Sequence, residues 1–233
     1  MPKYTSLSQI QTALHQGDTT LAAIVAYYLT QIEAAQALNA YVEVFAEEAL
    51  QRAHALDARF RDDPAAVGPL FGMVISIKDV LCYAEHEVTA GSRMLAGFRS
   101  LFSATAVERL LAADAIIIGR TNCDEFAMGS SNENSCYGPV KNAADPTKVP
   151  GGSSGGAAVS VQADTCLAAL GTDTGGSVRQ PAAFCGVIGF KPSYGRISRH
   201  GLLAYGSSFD QVGIFAHSIA DTALLLEIMA GPD

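Results

Sequence analysis

The sequence predicts an α/β fold, on three observations. Segments with helical periodicity alternate with short apolar runs. One of those runs, Ala115-Ile116-Ile117-Ile118-Gly119, is apolar throughout, as in a strand covered on both faces of a sheet. Two glycine-rich segments, 149–156 and 171–179, each lead into a helix-forming stretch.

In chain order, Ser6 to Gln16 reads as a short helix stopped by Gly17. Residues 20–38 read as an amphipathic helix. Leu21, Ile24, Val25, Tyr28, Leu29 and Ile32 recur at three- and four-residue steps, and Thr19 or Thr20 can cap it. Asn39 to Phe45 alternates as a strand does, and a charged helix runs from about Ala46 to Arg61. Gly72 to Asp79 (GMVISIKD) is an apolar strand ending in a lysine. Ala104 to Ala113 is a helix, followed by the apolar strand at 115–119. Residues 129–156 are dense in Gly, Ser, Asn and Pro. Beyond them come a helix at Ala157–Ala163, a strand at Cys166–Leu170 and a helix at Ser177–Phe184. Pro181 is tolerated near the start of that helix, and a last helix spans Ser218–Met229.

Composition narrows the function. Of the 233 residues, 49% are hydrophobic and 16% charged, the balance of a globular chain with a substantial core. Net charge is −8 with no basic block, which argues against gripping phosphate backbones or anionic membranes unaided. No apolar run reaches the roughly eighteen residues of a membrane span, and the N-terminus lacks the features of a signal peptide, so a cytoplasmic protein is expected. Five cysteines (Cys82, Cys123, Cys136, Cys166, Cys185) form no CxxC pair and read as reduced thiols. The five histidines are scattered, and no metal-ligand cluster is expected.

The chemistry concentrates in VPGGSSGG (149–156), GTDTGGSVR (171–179) and Lys78. Glycine admits backbone shapes closed to other residues, and helix starts leave N–H groups unpaired, so such loops can hold an anion or a developing oxyanion. Neither loop fits a phosphate-binding fingerprint, and no GxSxG elbow is present. Tight structural turns remain an alternative for each. A serine nucleophile needs a base, and a lysine serves only if burial lowers its pKa. Lys78 ends an apolar strand that would desolvate it; the competing reading is an ion pair with Asp79 or another acid.

A lysine at a strand end, then GGSSGG, then GTDTGGS-x-R-x-P-A-x-x-C-G, resembles the amidase signature family. Residues 124–135, 189–198 and 207–213 are similar to the glutamine-hydrolysing subunits of tRNA-dependent amidotransferases within it. The resemblance implies an amidase-signature fold, a mixed central sheet covered by helices on both faces, with residues 1–233 forming the N-terminal and incomplete portion of a single domain. It implies a Ser-cisSer-Lys triad: Ser177 the nucleophile, Ser153 the relay on a cis peptide, Lys78 the base, with Ser154 in support. The N–H groups of Thr174, Gly175, Gly176 and Ser177 would form the oxyanion hole, and Met128, Gly129 and Ser130 would meet the substrate. The implied activity is hydrolysis of glutamine, the ammonia converting Glu-tRNA(Gln) or Asp-tRNA(Asn) to the amidated form. The implied partners are amidotransferase subunits B and C, with tRNA held mainly through the B subunit. No cofactor is implied in this chain; ATP and Mg would be used by the partner subunit. Ala157 stands where many relatives have Ser, and Ile214 where many have Pro. Family members run longer, and their grip on the glutamine α-amino and α-carboxylate groups would lie beyond Asp233. A free-standing amidase and a non-enzymatic interaction module are the rival readings.

Overall fold

A computed structural model describes residues 2–232. Its framework is a six-stranded mixed sheet of β1 (Tyr41–Val44), β2 (Val74–Lys78), β3 (Ile116–Thr121), β4 (Ala168–Asp173), β5 (Ile188–Phe190) and β6 (Gln211–Ala216). The spatial order is β1-β3-β2-β4-β6-β5. The central strands β3, β2 and β4 run parallel, while β1 joins one side antiparallel and β6 and β5 the other. Every residue of β2, β3, β4 and β6 is buried. Successive side chains of a strand point to opposite faces, so burial at every position means that both faces are covered.

Seven α-helices among the described residues do the covering: α1 (Leu7–Gln16), α2 (Leu21–Ala34), α3 (Ala46–Asp62), α4 (Thr105–Ala112), α5 (Gly155–Gln162), α6 (Arg179–Cys185) and α7 (Ile219–Met229). Ser6 caps α1, and Thr20 Oγ1 accepts from Ala23 N at the start of α2. Asp57, from the middle of α3, accepts from Leu21 N and Ala22 N at 2.8 and 2.9 Å, so one helix supplies the anion for the other's N-terminus. No helix among the described residues is long and apolar enough to cross a membrane. All five cysteines are free, and all but Cys136 are buried.

One expected element is shorter than predicted, and two strands were not predicted. The helix predicted over 20–38 ends at Ala34 and passes into a 3₁₀ turn over Gln36–Leu38. Asn39 then adopts a left-handed conformation, its side-chain amide donating to the carbonyls of Tyr137, Gly138 and Pro139, and turns the chain into β1. The strands β5 and β6 escape the sequence reading. Three residues give β5 no period, and Gln211 and Gly213 interrupt the apolar run of β6.

A buried ionic network ties β1, β2 and β3 together. Asp79, just past β2, pairs with Arg120 of β3, which also donates to Glu43 of β1 at 2.9 Å. The other donors to the Asp79 carboxylate are Thr89 N (2.9 Å), Thr89 Oγ1 (2.5 Å) and Gly91 N (2.9 Å). Removing one partner of such a pair strands the other charge in the interior. We therefore expect Asp79→Ala to destabilise the fold by about 3–5 kcal/mol in urea unfolding, the cost of an unpaired buried guanidinium. A loss below about 1 kcal/mol would mean that Glu43 alone satisfies Arg120.

Candidate active site

The parallel strands β2 and β4 deliver Lys78 and Thr172-Asp173 to the same edge of the sheet. Ile77 pairs with Leu170, which sets Lys78 beside the end of β4. The crevice outside the carboxyl ends of parallel strands is where α/β folds habitually place their ligands. Lys78 is fully buried, and its Nζ donates to Ser153 Oγ at 2.7 Å and to Thr172 Oγ1 at 3.0 Å. No carboxylate pairs with it among the described residues. Asp79 lies one residue on and turns its carboxylate to Arg120, Thr89 and Gly91 instead.

Burial lowers the Lys78 pKa from 10.5 to about 8, against an opposing pull from nearby anionic groups. Burial also pushes the neighbouring Cys123 thiol up, so it stays protonated; the charges that face Lys78 are the carboxylates of Asp124, Asp173 and Asp210. An amine so placed is neutral in part near neutral pH and can take a proton from a serine hydroxyl.

Ser153 is buried and follows a cis peptide bond from Gly152. Ser154 is buried behind it, its Oγ donating to Thr172 O at 3.1 Å, and its N–H reaches Ser177 O at 3.3 Å. Ser177 is half-buried and lines a cavity of about 280 Å³ with Ala127, Gly129, Ser130, Gly152, Gly175, Gly176, Gln180 and Tyr205. No hydrogen bond joins the Ser153 and Ser177 hydroxyls among the described residues. A larger cavity, about 550 Å³, lies along α2 and β1 and contains none of these groups.

Asp173 organises the loop between β4 and α6. Its carboxylate accepts from the N–H groups of Gly176 (2.9 Å), Val178 (3.0 Å) and Arg179 (3.2 Å), and from the Arg179 guanidinium at 2.9 and 3.1 Å. Burial alone would raise its pKa; the hydrogen bonds and charge of Arg179, with the amides, outweigh burial and hold it below the usual range. One proposed oxyanion donor is thereby corrected: the Gly176 N–H is already engaged by Asp173. The N–H groups of Thr174, Gly175 and Ser177 have no protein acceptor among the described residues.

The cavity wall includes two of the three residues expected to meet the substrate. Gly129 and Ser130 line the cavity, but Met128 is 59% exposed and Ala127 takes its place. Phe126 and Ala127 both have positive φ, and this double reversal turns Met128 outward. Gly129 and Gly152 bring the backbone against Asp124, where a Cβ on either would lie 2.2 Å from the carboxyl group. Sequence reasoning passed over Thr172, Gln180 and Tyr205. Gln180 accepts from Gly152 N and donates to Ser130 O, both at 3.0 Å.

A buried lysine with only hydroxyl partners among the described residues, a buried serine beside it and a second serine lining a cavity suit a serine-amidase type of site. The chain belongs to the amidase signature family: the family model described as Amidase matches residues 23–233. It is 51% identical over 230 residues to the A subunit of glutamyl-tRNA(Gln) amidotransferase of Chlorobium phaeobacteroides, covering 99% of this chain and 48% of that protein. It is 52% identical over 229 residues to the A subunit of the same amidotransferase of Chloroflexus aurantiacus, covering 98% and 47%. Among solved structures, it superposes on the A subunit of glutamyl-tRNA(Gln) amidotransferase from Thermotoga maritima with a TM-score of 0.80 at 38% identity, covering 91% of this chain and 44% of that one. Native peptide amidase from Stenotrophomonas maltophilia gives a TM-score of 0.91 at 36% identity, covering 98% and 48%. The mixed sheet is thus that of the amidase-signature fold, and the chain spans about half the length of the curated relatives it matches.

The depressed Lys78 pKa has a consequence for stability. Between about pH 8 and 10.5 the unfolded chain holds a proton on Lys78 that the folded chain has lost, so stability rises with pH across that window. Below the folded value the cost of burying the amine is fully present. We expect Lys78→Met to lose this pH dependence, the stability difference between the two proteins changing by up to about 3 kcal/mol across the window. Parallel urea titrations at several pH values would check this; curves that keep a constant separation would refute a lowered Lys78 pKa.

Proposed function

We propose that the intact protein is the glutamine-hydrolysing subunit of a cytoplasmic tRNA-dependent amidotransferase, with residues 1–233 as the N-terminal portion of one amidase-signature domain. The observation that carries the chemistry is the buried Lys78 amine hydrogen-bonded to Ser153 and Thr172 and to no acid. The choice of glutamine rests on the curated relatives, which are named as A subunits of glutamyl-tRNA(Gln) amidotransferases.

In this reading Ser177 Oγ attacks the side-chain carbonyl carbon of glutamine. The Ser177 proton passes to Ser153 Oγ as the Ser153 proton passes to neutral Lys78 Nζ, leaving an ammonium. The oxyanion is met by the N–H groups of Thr174, Gly175 and Ser177, which are free of protein acceptors. Collapse expels the amide nitrogen, which takes back the proton from Lys78 through Ser153 and leaves as ammonia. Water then releases glutamate from the acyl-Ser177 ester, the same groups relaying its proton. The ammonia goes on to a partner, the B subunit, which uses ATP and Mg to activate Glu-tRNA(Gln) or Asp-tRNA(Asn), with a small C subunit in the assembly. A free-standing amidase acting on another small amide is the second reading, favoured by the likeness to the peptide amidase. Comparing hydrolysis of glutamine with that of acetamide separates the two.

Ser177→Ala should reduce glutamine hydrolysis by at least about a thousandfold, the scale of losing a nucleophile, while amidation supported by added ammonium salts persists. Loss of both activities would point to a structural serine. A lysine base also sets the pH profile. kcat/KM for glutamine should climb with pH and level off above about 8, where Lys78 becomes neutral. Lys78→Arg should be nearly as damaging as Lys78→Ala, because arginine stays protonated. A Lys78→Arg protein that kept most of its rate would remove Lys78 from the mechanism.

A further inference from the structure

The Gln180 side chain spends both ends of its amide on backbone. Its Oε1 accepts from Gly152 N and its Nε2 donates to Ser130 O, each at 3.0 Å. Only one orientation of the amide satisfies both contacts, since an N–H must meet the oxygen and a carbonyl must meet the NH₂. Three separate parts of the chain meet here. Gln180 itself stands in the first turn of α6, three residues past Ser177. Gly152 precedes Ser153, and Ser130 forms part of the cavity wall. The segments approach so closely that a Cβ on Gly151 would sit 2.8 Å from Pro181 Cα and 3.0 Å from Gln180 Oε1.

The other links across this junction join its parts in pairs. Ser154 N reaches Ser177 O at 3.3 Å, and Asp124 N reaches Ser153 O at 3.2 Å. Cys185 Sγ, at the end of α6, reaches Pro150 O at 3.5 Å, and Gly156 N donates to Asn132 Oδ1 at 3.0 Å. Among the described residues, none of these connects Ser130 to α6. Gln180 contacts all three, and it lines the cavity.

We propose that Gln180 is a positioning residue: it bolts the helix that follows Ser177 to the segment that carries Ser153 and to the wall at Ser130, and so fixes the distance over which the proton passes between the two serines. This rests on the assignment of Ser177 and Ser153 given above. A relay between two hydroxyls tolerates little displacement, because proton transfer requires hydrogen-bond reach. Misplacement by about 1 Å can lower a rate by about a hundredfold without any loss of substrate contacts.

The test is made in the intact protein with two variants. Gln180→Met keeps the length of the side chain and removes both polar ends. Gln180→Glu keeps the acceptor for Gly152 N but sets a carboxylate oxygen against the Ser130 carbonyl. The readouts are kcat and KM for glutamine, the rate at which a sulfonyl fluoride labels Ser177, and the thermal midpoint. We expect kcat to fall by about tenfold to a hundredfold in Gln180→Met and by less in Gln180→Glu, with KM changed by less than about threefold. The labelling rate should fall in step with kcat, because it reports the activation of Ser177 without the substrate. Folded variants with kcat and labelling within about twofold of the parent would overturn the proposal, as would a rise in KM with kcat unchanged. Ser177→Ala is measured alongside. If it still hydrolyses glutamine and still labels, the nucleophile assignment fails; if it is inert while the Gln180 variants are unimpaired, only the positioning role fails.

Discussion

A lysine amine enclosed by the fold, with hydroxyls as its only hydrogen-bond partners among the described residues, is the constraint around which the rest of the molecule is arranged. Burying an ammonium costs several kcal/mol unless it is paired, and the usual remedy is a carboxylate in contact. Here acids are close at hand and each is engaged elsewhere. Asp79 serves Arg120, Thr89 and Gly91. Asp173 serves Arg179 and three amides. Asp124 accepts from Asn132 N and Asn134 N, and Asp210 from Thr174, Tyr205 and Gly206. The charges of Asp124, Asp173 and Asp210 are felt at Lys78 and partly offset its burial, but none of these acids is hydrogen-bonded to it. The outcome, a pKa of about 8, suits a base that must lose its proton near neutrality and still bind one during the reaction.

These acids also shape the loops. A buried carboxylate seeks donors, and in irregular segments the nearest donors are backbone N–H groups. Asp173 gathers the amides after β4 into the turn that begins α6, and in doing so takes up the Gly176 N–H while leaving those of Thr174, Gly175 and Ser177 free. Asp124 gathers the amides of Asn132 and Asn134, and the glycines at 129 and 152 let the backbone lie directly against it. The residues that prevent an ion pair at Lys78 are therefore the same ones that set the cavity wall and the candidate oxyanion donors.

This division explains what was legible in the sequence. The buried strands β2, β3 and β4 and the long helices announce themselves by apolar period, because their surroundings repeat along the chain. Lys78 is legible for the same reason, as a single charged residue closing an apolar strand. Ser153 and Ser177 stand out only through the likeness of their glycine-rich segments to a family, since periodicity carries no information about a loop. Thr172 and Gln180 were not legible at all: their roles arise from contacts with residues far away in the chain, Lys78 in one case and Ser130 in the other. The engagement of the Gly176 amide by Asp173 and the outward turn of Met128 were not legible because a motif conveys residue identity but not the direction in which an N–H or a side chain points. Strands β5 and β6 were passed over because one is too short and the other too interrupted to show a period.

The cavity wall bears on the substrate question. Its lining is made of glycines, an alanine, two serines, one carboxamide and one tyrosine, with no ionised side chain among the described residues. Such a wall is matched to a neutral carboxamide, which offers a carbonyl and an NH₂ and carries no charge to be desolvated. Free glutamine has a charged α-amino and a charged α-carboxylate group at its other end, and burying either without a partner would cost more than the amide contacts return. For a glutamine substrate, the sheet edge formed by this chain suits the reacting end, and the charged end must be met by groups outside this wall. The carboxamide would then sit next to Ser177 without any fixed charge close enough to pair with Lys78, so the neutral amine that the chemistry needs is preserved when the site fills.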